Sequence, residues 1–304
     1  MPAETDFCME LDLGSPPKEL LEFARKELGE NPETRVQILE DFRDHIYERG
    51  ECMPHRTDDA FLLRFLRARN FIVPRAHRLL VNYYRFKENN PGIHKNVRPL
   101  DLGFIGDDDV LSIPPYREQT GRRLMIYRIG NWDTSSYGSD EIFKATLCIL
   151  ELGILEERAQ ILGGICIFDL AGLTLQHAWQ VTPSVAAKVI EIMVTSFPMK
   201  IHAIHIINQP WAFEVVYNVF KPLLDAQMRS KLFFHGSDMD SLHKHIDPKC
   251  LPVKYGGVRA EHNYKDWLFA MENNKNILKE VRSLGYIIED EDVKEFLKKN
   301  GRSS

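Results

Sequence analysis

Apolar and polar positions follow two different patterns along the chain. From residue 16 to about residue 91, apolar residues recur three and four positions apart, as in Leu39, Phe42 and Ile46. This is the spacing of one face of an amphipathic helix. Thr57 is expected to cap a further helix that begins with two aspartates, because N-terminal turns favour acids. The pattern predicts a small helical bundle over residues 16–91, preceded by a flexible terminus over residues 1–15.

From about residue 97 the pattern changes to short β-branched runs separated by longer helical stretches. The predicted strands are Arg123–Ile129, Gly164–Leu170 and Ile201–Ile207, and the stretches between them are Ser139–Gln160 and Thr182–Ser196. Strand, long helix, strand is typical of crossover connections in a parallel sheet. We therefore predict an α/β fold with a mostly parallel sheet flanked by helices over residues 92–257.

The segment beyond residue 257 is again helical in pattern. Trp267, Leu268 and Met271 form an apolar face with which it could dock on the rest of the chain. Residues 258–304 are accordingly predicted to be a helical tail.

Two of the predicted helices are apolar on more faces than one sheet can cover. The helix that starts at Thr182 leaves only a narrow polar face around Lys188 and Glu191. The helix predicted over Pro210–Ser230 has a single polar stripe and contains Pro222, which removes a backbone donor and predicts a kink or a local break. From periodicity alone, this segment is either an ordinary core helix or a lid over an apolar cavity.

Composition and charge narrow the class of protein. The 304 residues include 44% hydrophobic and 27% charged side chains, as in ordinary globular proteins. With 39 basic and 44 acidic side chains the net charge is −5, which argues against general nucleic-acid binding. The five cysteines contain no CxxC pair, and no apolar run approaches the ~18 residues of a membrane span. With no secretory signal at the start, we expect a cytoplasmic protein whose membrane contacts are peripheral.

The usual signatures of catalytic and metal sites are missing. The sequence contains no GxGxxG after a strand, no GxxxxGK[ST] and no GxSxG. His202 and His205 are three apart on a predicted strand, which places them on opposite faces and disfavours a shared metal ion. Asp169 ends a strand where α/β sites usually lie, but without a neighbouring base or nucleophile a structural role is favoured. We expect no enzyme activity, no metal and no cofactor.

Four stretches make the chain recognisable. They are DDAFLLRFLRARNF (residues 58–71), IFDLAGL (167–173), TPSVAAKVIEIMVTSFPMKIHAIHIINQP (182–210) and LPVKYGG (251–257). In order and spacing they resemble the CRAL-TRIO family of lipid-transfer proteins, in the branch of the tocopherol and retinaldehyde carriers and the clavesins. The resemblance implies a helical N-terminal domain and an α/β domain whose sheet floors a hydrophobic pocket. It also favours the lid interpretation of the Pro210 helix.

The resemblance places the pocket on specific positions of this chain. The implied pocket residues are Phe143, Thr146, Leu150, Phe168, Val189, Ile192, Met193, Phe197, Met199, Ile201 and Ile204. The implied gate residues are Trp211, Phe213, Val216, Phe220 and Leu224. Thr146 and Leu150 depart from the serines of the tocopherol carrier. Because Leu150 removes a hydroxyl, a ligand less polar than tocopherol is favoured.

A basic groove for a phosphoinositide headgroup is also implied. The matching positions are Lys200, His202, Lys221, Arg229 and Lys231. Over residues 184–232 five basic and three acidic side chains give a local charge of +2, against −5 for the whole chain. A basic field beside a gate favours an anionic lipid surface.

These features lead to three hypotheses. The first is an intracellular carrier, expected to be a monomer, that binds one tocopherol-, retinoid- or carotenoid-like ligand. It would exchange this ligand at phosphoinositide-bearing endosomal or plasma membranes through the gate. The second is a phosphoinositide-binding trafficking adaptor of the clavesin type, which needs no pocket ligand. An enzyme is the least favoured hypothesis.

Overall fold

The N-terminal part of the chain folds into helices whose ends follow from local chemistry. The structure is a computed structural model that describes residues 11–272 and 274–299. Its N-terminal helices are α1 (Lys18–Phe23, continued by a wider turn over Ala24–Leu28), α2 (Arg35–Arg49), α3 (Asp59–Ala68), α4 (Val73–Asn89) and α5 (Pro91–His94). The carboxylate of Asp58 accepts a hydrogen bond from the backbone N–H of Phe61 at 3.2 Å. Asp58, and not Thr57 as expected, is therefore the cap of α3.

The second part alternates strands and helices. A 3-10 turn over Pro99–Gly103 leads into its elements: α6 (Phe104–Asp107), β1 (Leu111–Ser112), β2 (Arg123–Arg128), α7 (Ser139–Gly153), α8 (Glu157–Leu162), β3 (Gly164–Asp169), α9 (Leu175–Gln180), α10 (Pro183–Ile190, continued by wider turns over Glu191–Ser196), β4 (Ile201–Ile207), α11 (Phe213–Phe220, continued by a 3-10 turn over Lys221–Leu223), α12 (Ala226–Arg229), β5 (Leu232–Gly236) and α13 (Met239–His243). The tail contains α14 (Tyr264–Glu272), α15 (Lys275–Ser283) and α16 (Asp290–Lys299).

The strands form one sheet in the order β1-β2-β3-β4-β5. β1 is antiparallel to β2, and the pairs β2–β3, β3–β4 and β4–β5 are parallel. Each parallel strand is added on the same side of its predecessor, so right-handed crossovers put their helices on one face of the sheet. The mixed α/β fold with a mostly parallel sheet is thus confirmed.

Alternate residues of the strands point to opposite faces of the sheet and pack in two different layers. Leu124 and Ile126 of β2 and Ile165 and Ile167 of β3 pack behind the sheet against the segment that follows β5. Their neighbours along the strands face the crossover helices α7, α10 and α11. The sheet therefore separates a dense rear core from the face on which the candidate site lies.

Two predicted helices are divided in the structure. The stretch Ser139–Gln160 breaks after Gly153, where Glu156 turns inward to pair with Arg117 and Arg123. The stretch Pro210–Ser230 begins as a helix only at Phe213 and breaks after Phe220, in the turn that contains Pro222. The missing backbone donor of Pro222 predicted a kink or a local break, and the structure shows the break, which separates α11 from α12.

Partly buried ion pairs, each with one buried side chain, join the three parts of the chain. Arg67 on α3 bonds Glu157 on α8, Arg64 bonds Glu280 on α15, and Lys87 on α4 pairs with Glu151 on α7 at 2.9 Å.

The tail packs as expected through Trp267 and Leu268, which are buried; the side chain of Met271 and residues 1–10 lie outside the described part. Within the described residues, no helix is both long enough and apolar enough to cross a bilayer.

Candidate functional site

An apolar cavity lies between the sheet and the helices α7, α10 and α11. Its volume is about 300 Å³, and side chains from β2, β3, β4 and the three helices line it. This is the lower end of the volumes found for small-molecule sites in proteins. The over-apolar faces of α10 and α11 are explained by this cavity, because each helix covers it with the face that does not pack on the core.

The structure brings all eleven predicted pocket residues together around this cavity. α7 contributes Phe143, Thr146 and Leu150, which are three and four positions apart and therefore share one helix face. α10 and its continuation contribute Val189, Ile192 and Met193 in the same way. That these side chains contact a ligand stays a prediction.

A bulge in β4 decides which of its residues reach the cavity. Gly164 pairs with Ile201 and Ile165 pairs with Ala203, so His202 is an extra residue without a partner on β3. As a result Ile201 and Ile204 both line the cavity, although a regular strand would put them on opposite faces. The regular alternation assumed for His202 and His205 is therefore interrupted.

Two polar side chains of the cavity wall, Tyr127 and Thr146, contact each other. The hydroxyls of Tyr127 and Thr146 lie 3.0 Å apart, and the Tyr127 hydroxyl donates to Met125 Sδ at 3.0 Å. The Tyr127 ring is stacked on Phe168, with centroids 4.9 Å apart and an angle of 8°. Sequence reasoning missed Tyr127 and Met125. The signal was available, because Tyr127 lies opposite Phe168 in the register of two predicted parallel strands.

Four of the five predicted gate residues line the cavity: Phe213, Val216, Phe220 and Leu224. Trp211 does not, because it precedes α11 and its side chain is 72% exposed. Assigning it to the gate helix was therefore wrong. Tyr217, which was not predicted, is the additional cavity-lining residue of α11.

Three cations meet beside the cavity without a carboxylate partner among the described residues. Lys200 Nζ donates to Asn70 Oδ1 at 2.5 Å, and Lys231 Nζ donates to the carbonyl of Ile201 at 2.7 Å. Arg69, the residue directly after α3, donates to the carbonyl of Val194 at 2.8 Å. We call Arg69, Lys200 and Lys231 the basic cluster.

The electrostatics of the basic cluster show mutual repulsion. Burial lowers the pKa of Lys200 to about 8, and the nearby charges of Arg69 and Lys231 act in the same direction. Burial also lowers the pKa of Lys231, again helped by Arg69, whereas Asp225 opposes this change. A bound anion would relieve this repulsion. Arg69 was missed because it belongs to the helical N-terminal part, far from the lysines in sequence.

The other predicted basic positions lie apart from the cluster's hydrogen bonds. Lys221 and Arg229 are exposed on the segment that follows α11, where Arg229 Nη2 donates to the Lys221 carbonyl at 3.1 Å. His202 is the exposed bulge residue of β4.

Large apolar side chains are exposed on and around the outer side of α11. Val215 and Leu223 are 39% and 40% exposed. Trp211, which precedes α11, is exposed as well. Trp179 on α9, which packs against α11, is 69% exposed. Tryptophan at a surface is suited to the interface between water and lipid headgroups. We call Trp179, Trp211, Val215 and Leu223 the apolar rim.

The residues considered for metal binding or catalysis have structural partners. Among the described residues, no group of three or more histidine, cysteine, aspartate or glutamate side chains is arranged to hold a metal ion. Asp169 is buried; its Oδ1 accepts from Asn208 at 2.9 Å and its Oδ2 accepts from the Tyr255 hydroxyl at 3.1 Å. The carboxylate thus ties β3 to the segment that closes the rear of the sheet.

Comparison with known proteins agrees with this architecture. The family model described as "CRAL/TRIO, N-terminal domain" matches residues 19–82. The model described as "CRAL/TRIO domain" matches residues 108–257. Clavesin-1 of Xenopus laevis is 33% identical over 296 residues, which cover 93% of this chain and 89% of that protein. Clavesin-2 of Homo sapiens is 36% identical over 251 residues, covering 82% of this chain and 77% of the relative.

A third relative extends the match to another named branch. Alpha-tocopherol transfer protein-like of Mus musculus is 35% identical over 250 residues, covering 82% of this chain and 73% of that protein. Among solved structures, Sfh5 covers 82% of this chain at 14% identity and a TM-score of 0.45, which is too weak a likeness to support a conclusion. The motifs, the fold, the cavity and the identities together establish that this chain belongs to the CRAL-TRIO family of lipid-binding proteins.

Proposed function

We propose that this protein is a non-catalytic carrier that binds one hydrophobic small molecule in the cavity and exchanges it at membranes. The observation that supports the proposal most directly is the wall of the cavity, which is almost wholly apolar and encloses about 300 Å³. Burying about 500 Å² of ligand surface gives roughly 12 kcal/mol gross at ~25 cal/mol per Å². Several kcal/mol are offset by the lost freedom of the ligand, so escape into water is slow.

Slow escape requires an opening step, for which α11 is suited. This helix has no fully buried residue, and it is followed by the Pro222 break, after which the chain leaves the helix. Its inner side chains close the cavity, whereas Val215 and Leu223 of the apolar rim face outward. Insertion of the rim into a bilayer would replace the contacts of α11 with the cavity, so the gate opens where the ligand has a lipid phase to enter.

The basic cluster supports the choice of an anionic target membrane. Arg69, Lys200 and Lys231 offer several donors to a phosphate group, and arginine is suited to bidentate phosphate binding. The finer proposal is a phosphoinositide headgroup, at the positions predicted from the family. The cargo proposed is an isoprenoid lipid of the tocopherol, retinoid or carotenoid type.

The first test is the lipid content of the protein itself. We expect mass spectrometry of the organic extract from gently purified protein to show one hydrophobic compound in a stoichiometric amount. A mixture of membrane lipids in trace amounts would contradict the carrier proposal, if a protein without a cavity yields the same amounts.

The second test addresses the membrane step. We expect Lys221→Gln combined with Arg229→Gln to slow ligand transfer to phosphoinositide-containing vesicles about thirtyfold, at about 1 kcal/mol per cation. Ligand affinity should not change, because neither side chain lines the cavity. The measurement is fluorescence transfer between vesicles. The matched control, Lys18→Gln with Arg49→Gln, removes two exposed cations from the N-terminal helices. Equal transfer rates for the two double variants would reject the role of these charges.

A second candidate function is a phosphoinositide-binding trafficking adaptor similar to the clavesins. The basic cluster and the apolar rim favour it, because together they could hold the protein on a membrane without any cargo. Tight binding of ligand-free protein to phosphoinositide vesicles, with no compound in the extract, would select the adaptor over the carrier.

A further inference from the structure

The gate helix α11 meets one edge of the sheet through aromatic rings. Phe213 and Tyr217 are four positions apart on α11, so they share one face of the helix, and both line the cavity. The ring centroid of Phe234 on β5 lies 6.0 Å from that of Phe213 and 5.5 Å from that of Tyr217. The two rings on the helix are 5.9 Å apart. The three rings therefore form one contact between α11 and β5.

The position of Phe234 in the sheet makes this contact dependent on α11. β5 is an edge strand, and its successive residues Phe233 and Phe234 point to opposite faces of the sheet. Phe233 packs in the rear core, where its ring is stacked on His205 with centroids 5.2 Å apart. Phe234 lies on the face of the gate and is 44% exposed. Movement of α11 away from the sheet would expose this ring further, which costs free energy.

The geometry of the rings is suited to stabilise the closed gate. The planes of Tyr217 and Phe234 meet at 85°, the edge-to-face arrangement that stabilises aromatic pairs beyond the area they bury. α11 has no fully buried residue, so two ring pairs are a sizeable contribution to its position on the sheet. Phe234 itself is not one of the residues that line the cavity.

We propose that Phe234 is a positioning residue that fastens the gate in its closed position. The inference rests on the proposed carrier function in treating α11 as the gate, but the ring contact needs no ligand. Because Phe234 lies outside the cavity wall, loss of its ring shifts α11 toward the open position in empty and loaded protein alike. Entry and exit of a ligand then accelerate by the same factor, and the affinity does not change.

Opening of the gate can be measured without a ligand, at the thiol of Cys166. This residue of β3 lines the cavity, and burial raises its pKa to about 12, so the thiol reacts slowly while the gate is closed. We expect Phe234→Leu to accelerate the modification of Cys166 by N-ethylmaleimide about tenfold. Mass spectrometry of peptides gives the rate, with Cys52 of the N-terminal part as the internal reference. Phe234→Tyr keeps the ring and should keep the wild-type rate.

Phe233→Leu is the matched control, because it removes a ring from the same strand on the rear face. Equal acceleration in Phe233→Leu and Phe234→Leu would show a general weakening of β5 and would overturn the inference. An unchanged Cys166 rate in Phe234→Leu would overturn it as well. Weaker binding of this variant to vesicles of phosphatidylcholine and phosphatidylserine would then assign Phe234 to a membrane contact.

Retinol, which is fluorescent, serves as the probe for the second readout. In stopped-flow measurements on Phe234→Leu we expect its association and dissociation rates both to rise about tenfold, with an unchanged Kd. A changed Kd with an unchanged association rate would contradict the role of a gate fastener. Absence of retinol binding would count against the proposed cargo alone, because the Cys166 rates decide the role of Phe234.

Discussion

Arg67→Met is expected to lower the free energy of unfolding by about 3–5 kcal/mol. The Arg67 side chain is 1% exposed and donates to both oxygens of Glu30 at 2.7 and 2.8 Å. It also donates to Glu157 and Gln160, each at 2.7 Å. Glu30 is 4% exposed, so loss of the guanidinium leaves a buried carboxylate whose remaining cation is Arg35 at 3.5 Å. The cost is mainly that of the uncompensated charge.

Chemical denaturation, followed by circular dichroism, measures this effect. Adding Glu30→Gln to Arg67→Met should recover part of the loss, because a neutral amide is less costly to bury than a carboxylate. Arg85→Met is the matched control: Arg85 lies 3.9 Å from Glu51 with both side chains exposed, and such pairs contribute about 0–1 kcal/mol. Similar losses for Arg67→Met and Arg85→Met would show that the buried network does not hold α3 against α8.

Acid is expected to destabilise the protein through a buried histidine pair behind the sheet. His205 on β4 and His235 on β5 lie 2.9 Å apart between Nδ1 and Nε2, and His235 Nδ1 contacts the Ser241 hydroxyl at 2.8 Å. Burial lowers the pKa of His205 to about 3, and the neighbouring His235, His245 and His202 act in the same direction. Burial and His245 also lower the pKa of His235, whereas Asp238 opposes this change.

The sign of the effect follows from proton binding. Between the ordinary pKa of 6.5 and the folded-state value of about 3, the unfolded chain binds a proton that the folded His205 does not. Stability is therefore complete above about pH 6.5 and is lost as the pH falls through this window. From pH 7.5 to pH 5 the loss from His205 alone is about 2 kcal/mol.

Urea unfolding of the wild type and of His205→Gln at both pH values measures this contribution, because the histidines that do not contact His205 add equally to both proteins. We expect the pH-dependent loss to be about 2 kcal/mol smaller in His205→Gln. His245→Gln, at the exposed ring of the same group, is the control and should retain most of the wild-type dependence. An identical pH dependence in all three proteins would exclude His205 as the acid-sensitive group.

The sequence predicted best those helices and strands in which the spacing of apolar residues marks one buried face. Ile201–Ile207 forms a strand over the predicted residues, and Arg123–Arg128 differs from its prediction by one residue. Strand alternation and helical periodicity depend on residues a few positions apart, so they can be recognised without knowing how the rest of the chain folds. Domain limits stay predictions, since periodicity does not say where one packed unit ends.

The errors concern places where distant segments decide the local structure. Glu156 ends the continuous helix expected over Ser139–Gln160 because its partners, Arg117 and Arg123, lie on the β2 side. The bulge at His202 has no signature in composition, yet it determines that Ile201 and Ile204 share the cavity.

By itself, the sequence determined the class of fold and the family, because both depend on side-chain type and spacing along single segments. The residues that line the apolar cavity followed from the resemblance to that family. The tertiary structure alone decided that Arg69 joins Lys200 and Lys231, that Trp211 lies outside α11 and that Thr146 bonds Tyr127. These are relations between segments far apart in the chain. Their distances and hydrogen-bond directions arise only when packing fixes the helices on the sheet.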